Sequence, residues 1–225
     1  GETNLSLVVI PLIYNGHVHG VITLNNEKVN AFSGLEVGLA ETVAAELTRA
    51  WERSGYHQRL KYLIQTGSQL SSALDPETTS KEVASISRDI TQAKFTYIYI
   101  QLGQERDYIQ RASSGNAPLL FESLTDPDAS DDLFKLALHA SQPFRIRDIR
   151  KYEKTSSLKL DNTGLRSLLV IPIRWHQVNI GAILTFGKQK EVFFTENDES
   201  LAELISIQAS GAFESTWLQQ ELRAS

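Results

Sequence analysis

Two histidines offer the first possible site for metal or haem chemistry in this chain. His17 and His19 are two residues apart, so both rings point to one face if the segment is a strand. Imidazole pairs of this kind can bind transition metals. No third ligand is evident nearby, and exposure on the solvent face of a hairpin explains both side chains equally well. We therefore predict no metal site at these residues.

A group of acidic residues is the second possible metal site. It consists of Asp126, Asp128, Asp131 and Asp132. The group lacks the glycine and the terminal glutamate of a calcium-binding loop. Asp131 is better placed as the N-cap of a helix that we predict over residues 131–141. No metal is predicted here either.

Two arginines provide the possible anion site. Arg145 and Arg147 alternate with Phe144 and Ile146, so in a strand the two guanidinium groups would share one face. They could then bind an anionic ligand. Alternatively, they are the charges that edge strands carry to block aggregation.

The overall composition excludes several classes of function. The 225 residues include no cysteine, which removes thiol nucleophiles, thiolate zinc sites and disulfide frameworks. We find neither a serine–histidine–acid arrangement nor a phosphate-binding glycine loop, so we predict that the chain is not an enzyme. The net charge of −5 argues against a nucleic-acid surface. No apolar stretch approaches the roughly 20 residues of a membrane span, and we expect a cytoplasmic protein.

An internal repeat determines how these residues are positioned. The segment Ser6-Leu-Val-Val-Ile-Pro11 reappears as Ser167-Leu-Leu-Val-Ile-Pro172, at an offset of 161 residues. After one inserted residue the match continues at an offset of 162, where Trp51-Glu52 corresponds to Phe213-Glu214. Solenoid repeats are roughly 20–50 residues long. A duplicated domain is therefore indicated.

Each copy is predicted to contain a hairpin followed by a capped helix. Asn15-Gly16 is a strong hairpin-turn signal, and Thr195 with Asp198 resembles the capped start of a helix. Only the second copy is preceded by enough chain for a whole α+β domain on an antiparallel sheet. The prediction is a partial domain over residues 1–54, a connector helix over 55–75 and a complete domain over 76–225. The chain also contains no methionine, so we expect a piece of a longer protein.

The connector shows a heptad-like pattern of apolar residues. The pattern comprises Tyr56, Leu60, Leu63, Leu70 and Leu74. It favours a helix that pairs with a second copy of the chain in a homodimer. The alternative is a stripe that packs on the sheet of its own chain.

The second copy contains the strand Ser167–Ile173, the glycine-containing strand Ile180–Leu184 and the turn Phe194-Thr-Glu-Asn-Asp198 that opens a long helix. In this order these elements resemble the C-terminal half of a GAF domain. The run Ser141–Asp148 is similar to the passage that precedes these strands in the family. The resemblance implies a six-stranded antiparallel sheet, with a ligand pocket on one face and dimerising terminal helices on the other.

The family also implies a function, a partner and a set of pocket residues. GAF domains are sensory or regulatory modules that commonly precede a histidine kinase, cyclase or phosphatase output domain. Carried onto this sequence, the pocket lining is Tyr97, Tyr99, Phe134, Leu138, Arg147, Asp148 and Leu168. Covalent bilin attachment and methionine sulfoxide reduction require cysteine in this family, so neither is expected. The cofactor is left open. A noncovalent small-molecule sensor is the first hypothesis, and a ligand-free dimerisation or spacer module is the second.

Overall fold

The computed structural model describes residues 6–14, 17–70, 75–102, 108–125, 127–155, 158–160, 163–175, 178–189 and 193–224. The chain divides into two compact units, residues 1–59 and 60–225. Among the described residues, no helix combines the length and the apolar character needed to cross a lipid bilayer.

The first unit contains one hairpin and most of one long helix. Strands β1 (Ser6–Tyr14) and β2 (His17–Asn26) pair antiparallel and form a two-stranded sheet. Helix α1 (Gly34–Leu70) follows, and it continues through Ser54-Gly55, where the sequence predicted a boundary. The Tyr14 hydroxyl donates to a Glu52 carboxylate oxygen at 2.9 Å, which connects β1 to α1.

The first unit has almost no core of its own. Ile10 and Ala44 are the only buried residues in its described part. A lone hairpin is marginally stable in water unless further strands or a helix cover it. The hairpin and α1 therefore lack much of the apolar burial that a folded domain requires.

The second unit is an α+β domain built on an antiparallel sheet. Its helices are α2 (Pro76–Thr91), α3 (Pro118–Thr125), α4 (Pro127–His139) and α5 (Glu196–Ala224). Its strands are β3 (Ala93–Leu102), β4 (Tyr108–Gly115), β5 (Phe144–Ile146), β6 (Leu168–Trp175) and β7 (Val178–Lys188). The strand order is β4-β3-β7-β6-β5. The described residues thus form five strands in this sheet, rather than the six that the family resemblance implied.

Helices cover both faces of this sheet. Helices α2 and α5 pack against each other, with α2 also on β3 and β4 and α5 on β6. Helices α3 and α4 contribute Leu120, Leu124 and Leu133 to a buried cluster with the opposite face of β3, β6 and β7. Successive residues of a strand point to opposite faces, so each central strand supplies side chains to both layers.

Several predicted boundaries are wrong. Helix α4 begins at Pro127, so Asp131 lies inside it and is not its N-cap. Helix α3 was not predicted at all. The short strand β5 ends at Ile146 and is followed by a 3₁₀ turn over Ile149–Lys151. The predicted turn at Asn15-Gly16 lies outside the described residues, as does Leu74.

The connector residues differ in their exposure. Leu63 is buried, so its side chain does not face solvent as pairing with another chain would require. Tyr56 and Leu60 are half-buried, and the Leu70 side chain is outside the described part. The burial of Leu63 fits packing within its own chain better than pairing with a second copy.

The start of α2 is capped by Asp75, and Asp75 followed by Pro76 is also a helix-start signal in the sequence. The Thr78 backbone N–H donates to Asp75 Oδ1 at 2.8 Å and the Thr78 hydroxyl donates to Oδ2 at 2.8 Å. The backbone hydrogen bond, aided by the hydroxyl, holds the pKa of Asp75 below its usual value. Pro76 occupies the first turn, where its missing N–H costs nothing.

Asp75→Ala is expected to lower the free energy of unfolding by about 1 kcal/mol, as loss of an N-cap does. Because the folded pKa is depressed, the carboxylate contributes fully above its unfolded pKa of about 3.9 and loses this contribution as the pH falls through the folded value. Urea denaturation at pH 7 and near pH 2.5 measures both effects. An equal difference between wild type and variant at the two pH values would contradict the capping role.

Candidate functional site

Three aromatic rings meet between the sheet and α4. Tyr99 of β3 stacks on Phe134 of α4, with ring centroids 4.6 Å apart and planes 25° apart. The centroid of the Tyr97 ring lies 6.0 Å from that of Phe134 and 5.8 Å from that of Phe121 of α3. The offset between Tyr97 and Tyr99 is two residues, which places both on one face of β3. We call Tyr97, Tyr99 and Phe134 the aromatic cluster.

The Tyr97 hydroxyl is a buried polar group within this cluster. It donates to the Leu124 carbonyl oxygen at 3.2 Å, at the end of α3. Burial raises the pKa of Tyr97 to about 12, although the positive charge of Arg111 acts in the opposite direction. The hydroxyl is therefore protonated at neutral pH and remains a hydrogen-bond donor.

Arg111 and Gln101 border the aromatic cluster on the solvent side. Arg111 of β4 pairs with Tyr99 of β3 in the antiparallel register, and its guanidinium carbon lies 5.6 Å from the centroid of the Tyr99 ring. The Gln101 amide donates to the Tyr99 hydroxyl at 2.7 Å. Arg111 is exposed, so a positive charge sits directly beside stacked rings.

The structure brings most of the predicted pocket residues together. Tyr97, Tyr99, Phe134 and Leu168 belong to one buried cluster, and Leu138 packs against it. The members come from β3, α4 and β6, which are far apart in the sequence. The Tyr97 and Leu168 side chains are fully buried, and those of Tyr99 and Phe134 are nearly so.

Arg147 and Asp148 do not join the cluster. The Arg147 guanidinium lies 5.0 Å from the centroid of the Phe193 ring. Arg145, on the same face, forms an ion pair with Glu199 at 2.8 Å. The Asp148 carboxylate accepts from Arg150 Nε at 3.1 Å, and hydrogen bonding by the Arg150 side chain lowers the pKa of Asp148. These charges lie towards the start of α5 and the 3₁₀ turn, away from the rings.

Sequence reasoning missed Arg111, although a signal for it existed. Residues 95–102 and 108–113 both have the composition of strands, and pairing them as a hairpin places Arg111 near Tyr99. Arg145 and Arg147 were considered as the anion site because they alternate along one short segment of the sequence. The cross-strand neighbour at a distance of twelve residues is the one that reaches the rings.

The start of α5 is fixed by a buried ion pair. Lys188, at the end of β7, donates from Nζ to Asp198 Oδ2 at 2.5 Å, and both side chains are fully buried. The Thr195 backbone N–H donates to the same oxygen at 2.7 Å, while the Asp198 N–H donates back to the Thr195 hydroxyl at 3.3 Å. This reciprocal pair confirms the predicted cap of α5.

The chemistry that these groups can perform is binding. Stacked rings bind flat apolar groups, and Arg111 attracts negative charge. In the described ranges no group of three or more acidic, histidine or cysteine side chains could hold a metal ion.

The comparisons agree with this architecture. The family described as GAF domain matches residues 73–214, more than half of the chain. No curated protein is similar enough to this chain to count as a match. Solved structures of low sequence identity, which show the fold alone, are similar over most of its length.

Three of these structures indicate the range of proteins that share the fold. The GAF domain of an Acinetobacter phosphoenolpyruvate-protein phosphotransferase is 18% identical, with a TM-score of 0.55 over 74% of this chain and 95% of that one. The GAF domain of a putative sensor histidine kinase from Pseudomonas syringae pv. tomato is also 18% identical, with a TM-score of 0.54 over 78% and 98%. Free methionine-R-sulfoxide reductase from Neisseria meningitidis is 14% identical, with a TM-score of 0.56 over 72% and 91%. The family match over residues 73–214 shows that the chain belongs to the GAF domain family.

Proposed function

We propose that this chain is a non-catalytic sensory region that binds a small molecule noncovalently at the aromatic cluster. The stacking of Tyr99 on Phe134 beneath the Arg111 guanidinium is the observation that carries the proposal. The ligand class that fits is a flat aromatic or heterocyclic compound with a negative charge. Rings would stack on Tyr99 or Phe134, and Arg111 would pair with the anionic group.

Strand β6 connects the buried core around the aromatic cluster to α5. Leu168 of β6 belongs to the same buried core as the three rings, while the Pro172 carbonyl on this strand accepts from the Ser206 hydroxyl of α5. The Arg174 N–H donates to the Ser210 hydroxyl oxygen at 3.2 Å. A ligand that favours one packing of the cluster would thereby bias the position of α5, by the difference in its affinity for the two packings.

The remaining parts of the proposal concern partners. We propose that the signal passes to an output domain such as a histidine kinase, cyclase or phosphatase in the same protein, and that the protein acts as a cytoplasmic homodimer. The dimer contact is assigned to the helices that leave the domain. Leu218 and Leu222 near the end of α5 are exposed, and Tyr56 and Leu60 of α1 are half-buried.

We also propose that residues 1–54 are the back half of a second GAF domain. The two hairpins have the same register: Leu7 pairs with Asn25, as Leu168 pairs with Phe186 at an offset of 161. Both hairpins shift register at the same step, after Leu12 in one and after Ile173 in the other.

The helix starts support the same relationship. The Ser33 N–H donates to a Glu36 carboxylate oxygen at 2.7 Å and the Glu36 N–H donates to the Ser33 hydroxyl at 3.3 Å. Thr195 and Asp198 form the same reciprocal pair at an offset of 162. One ancestral hairpin and helix would give rise to both.

A ligand-free dimerisation or spacer module is the second candidate. The observation that favours it is the burial of the predicted pocket residues, because Tyr97 and Leu168 are fully buried and the rings contact one another. A ligand must then displace packed side chains, which costs binding energy.

Binding tests separate the two candidates. We expect at least one compound in a panel of nucleotides and flat aromatic carboxylates to raise the melting temperature of the chain. Arg111→Gln should weaken that binding by a factor of about 10–100, since a hydrogen bond to a charged group contributes about 1.5–3 kcal/mol. Calorimetric titration measures the affinity.

The matched control is Arg49→Gln, which removes an exposed arginine from α1 in the other unit. It should leave the affinity unchanged. A panel without any stabilising compound would favour the spacer module. Equal affinities for wild type and Arg111→Gln would exclude the charge contact that the proposal requires.

A further inference from the structure

One side of α1 presents a row of apolar residues to solvent. The row consists of Leu39, Val43, Leu47 and Trp51, all exposed, and we call it the α1 outer face. At an offset of 162 these residues correspond to Leu201, Ile205, Ala209 and Phe213 of α5, all buried. Val43 is 47% exposed against 3% for Ile205, and Trp51 is 63% exposed against 0% for Phe213. Equivalent positions thus have opposite environments in the two units.

Helix α2 accounts for much of this difference. It packs on α5, and the hydroxyl groups of Thr79 and Thr216 lie 3.0 Å apart in the buried contact. Its inward residues Val83, Ala84 and Ile90 are fully buried. Nothing in the described part of the first unit occupies the corresponding place beside α1.

The sheet of the first unit is incomplete on the corresponding side. In the second unit β7 lies between β6 and β3. In the first unit β2 pairs with β1 and with no other described strand. The face of the hairpin that corresponds to the buried cluster is also exposed, at Leu7, Val9 and Val21. Open strand edges readily pair with further chain.

A glycine shows where the additional strand would pass. A Cβ atom on Gly181 would lie 2.3 Å from the Tyr99 carbonyl oxygen, because β3 approaches β7 closely at this point. Gly20 is the equivalent residue of β2, yet a Cβ there would meet only the Leu12 side chain at 3.4 Å. Glycine in a strand interior weakens the strand unless another backbone comes close. Gly20 thus matches the close approach of a strand that corresponds to β3.

We propose that the α1 outer face and the open edge of β2 are covered by the front half of a GAF domain, a helix and a strand of the type that Pro76–Leu102 form. The occupant is the polypeptide that precedes the hairpin in the full-length protein, because the front half precedes β6 in the second unit as well. The inference rests on the duplication proposed above and is independent of ligand binding.

Thiol labelling tests this assignment. The chain has no cysteine, so Val43→Cys introduces a single thiol on the α1 outer face. In the 225-residue chain it should react with a maleimide about as fast as Glu41→Cys, an exposed control whose equivalent Glu203 is also exposed. In the full-length protein the Val43→Cys thiol should react about 100-fold more slowly, because a buried thiol reacts only when the surface opens locally. Glu41→Cys should keep its rate.

Three results would overturn the assignment. The first is fast labelling of Val43→Cys in the full-length protein, confirmed with Leu47→Cys if the first variant folds poorly. The second is protection in the 225-residue chain that increases with protein concentration, which means that a second copy covers the face. The third is a full-length protein that contains no chain before the hairpin. Loss of the proposed ligand site would alter none of these readings, so the two proposals fail separately.

Discussion

Lys188→Met is expected to lower the free energy of unfolding of the second unit by about 3–5 kcal/mol, because it removes one partner of a buried ion pair. The Asp198 carboxylate would still accept the hydrogen bonds from the Thr195 N–H and hydroxyl, at 2.7 and 2.9 Å. It would lose the positive charge that compensates its own burial. Stabilities of single domains are typically about 5–15 kcal/mol, so the loss is large.

Fluorescence can follow this unit alone. Trp175 and Trp217 lie in the second unit, so a Trp51→Phe background removes the signal of the first. Urea denaturation in this background gives the free energy of unfolding. The exposed Lys81–Glu77 pair provides the control, and Lys81→Met should cause little change because exposed ion pairs contribute little.

A double variant tests the cause. Adding Asp198→Asn to Lys188→Met should restore part of the lost stability, because the uncompensated charge is gone. If the urea midpoint of Lys188→Met equals that of the wild type, the ion pair does not hold α5 to β7.

Local signals in the sequence indicate the starts of α2 and α5 correctly. Asp75-Pro76 and Thr195 with Asp198 are short patterns whose groups satisfy one another within a few residues. Such patterns need no knowledge of the tertiary structure. The eight-residue helix α3 was missed because its stability comes from Leu120 and Leu124 in the shared core, and tertiary packing determines short helices more than propensity does.

The candidate site was only partly predictable for a related reason. Tyr97 and Tyr99 are two residues apart along β3, so they share one face of the sheet even if the sequence does not show which face is buried. Assigning Arg147 to the same side of the sheet required knowing which residues of β5 face the core. An error of one residue moves every side chain of the strand to the opposite face. Ile146 is buried in the cluster, so Arg147 points away from it. The Lys188–Asp198 pair was also missed, since it depends on how the end of β7 meets α5.

Gly181→Ala is the second change with a large expected effect. The new Cβ would lie 2.3 Å from the Tyr99 carbonyl oxygen and 2.9 Å from the Ile100 Cα atom. Both are backbone atoms of β3, so no side-chain rotation can relieve the overlap. Overpacking in a core typically costs about 1–3 kcal/mol and occasionally more, and we expect a loss of about 3 kcal/mol or more. Urea denaturation in the Trp51→Phe background measures it.

Gly20→Ala is the matched control, because the repeat places Gly20 at the same position of an equivalent hairpin. Its Cβ would meet only the Leu12 side chain, at an ordinary contact distance of 3.4 Å. Amide hydrogen exchange over residues 6–26 of the 225-residue chain should therefore be unchanged, whereas Gly181→Ala should accelerate exchange in β6 and β7. In the full-length protein, Gly20→Ala should accelerate exchange in the hairpin if a strand corresponding to β3 passes there. If both glycines tolerate alanine in both proteins, close backbone approach is not the reason for either.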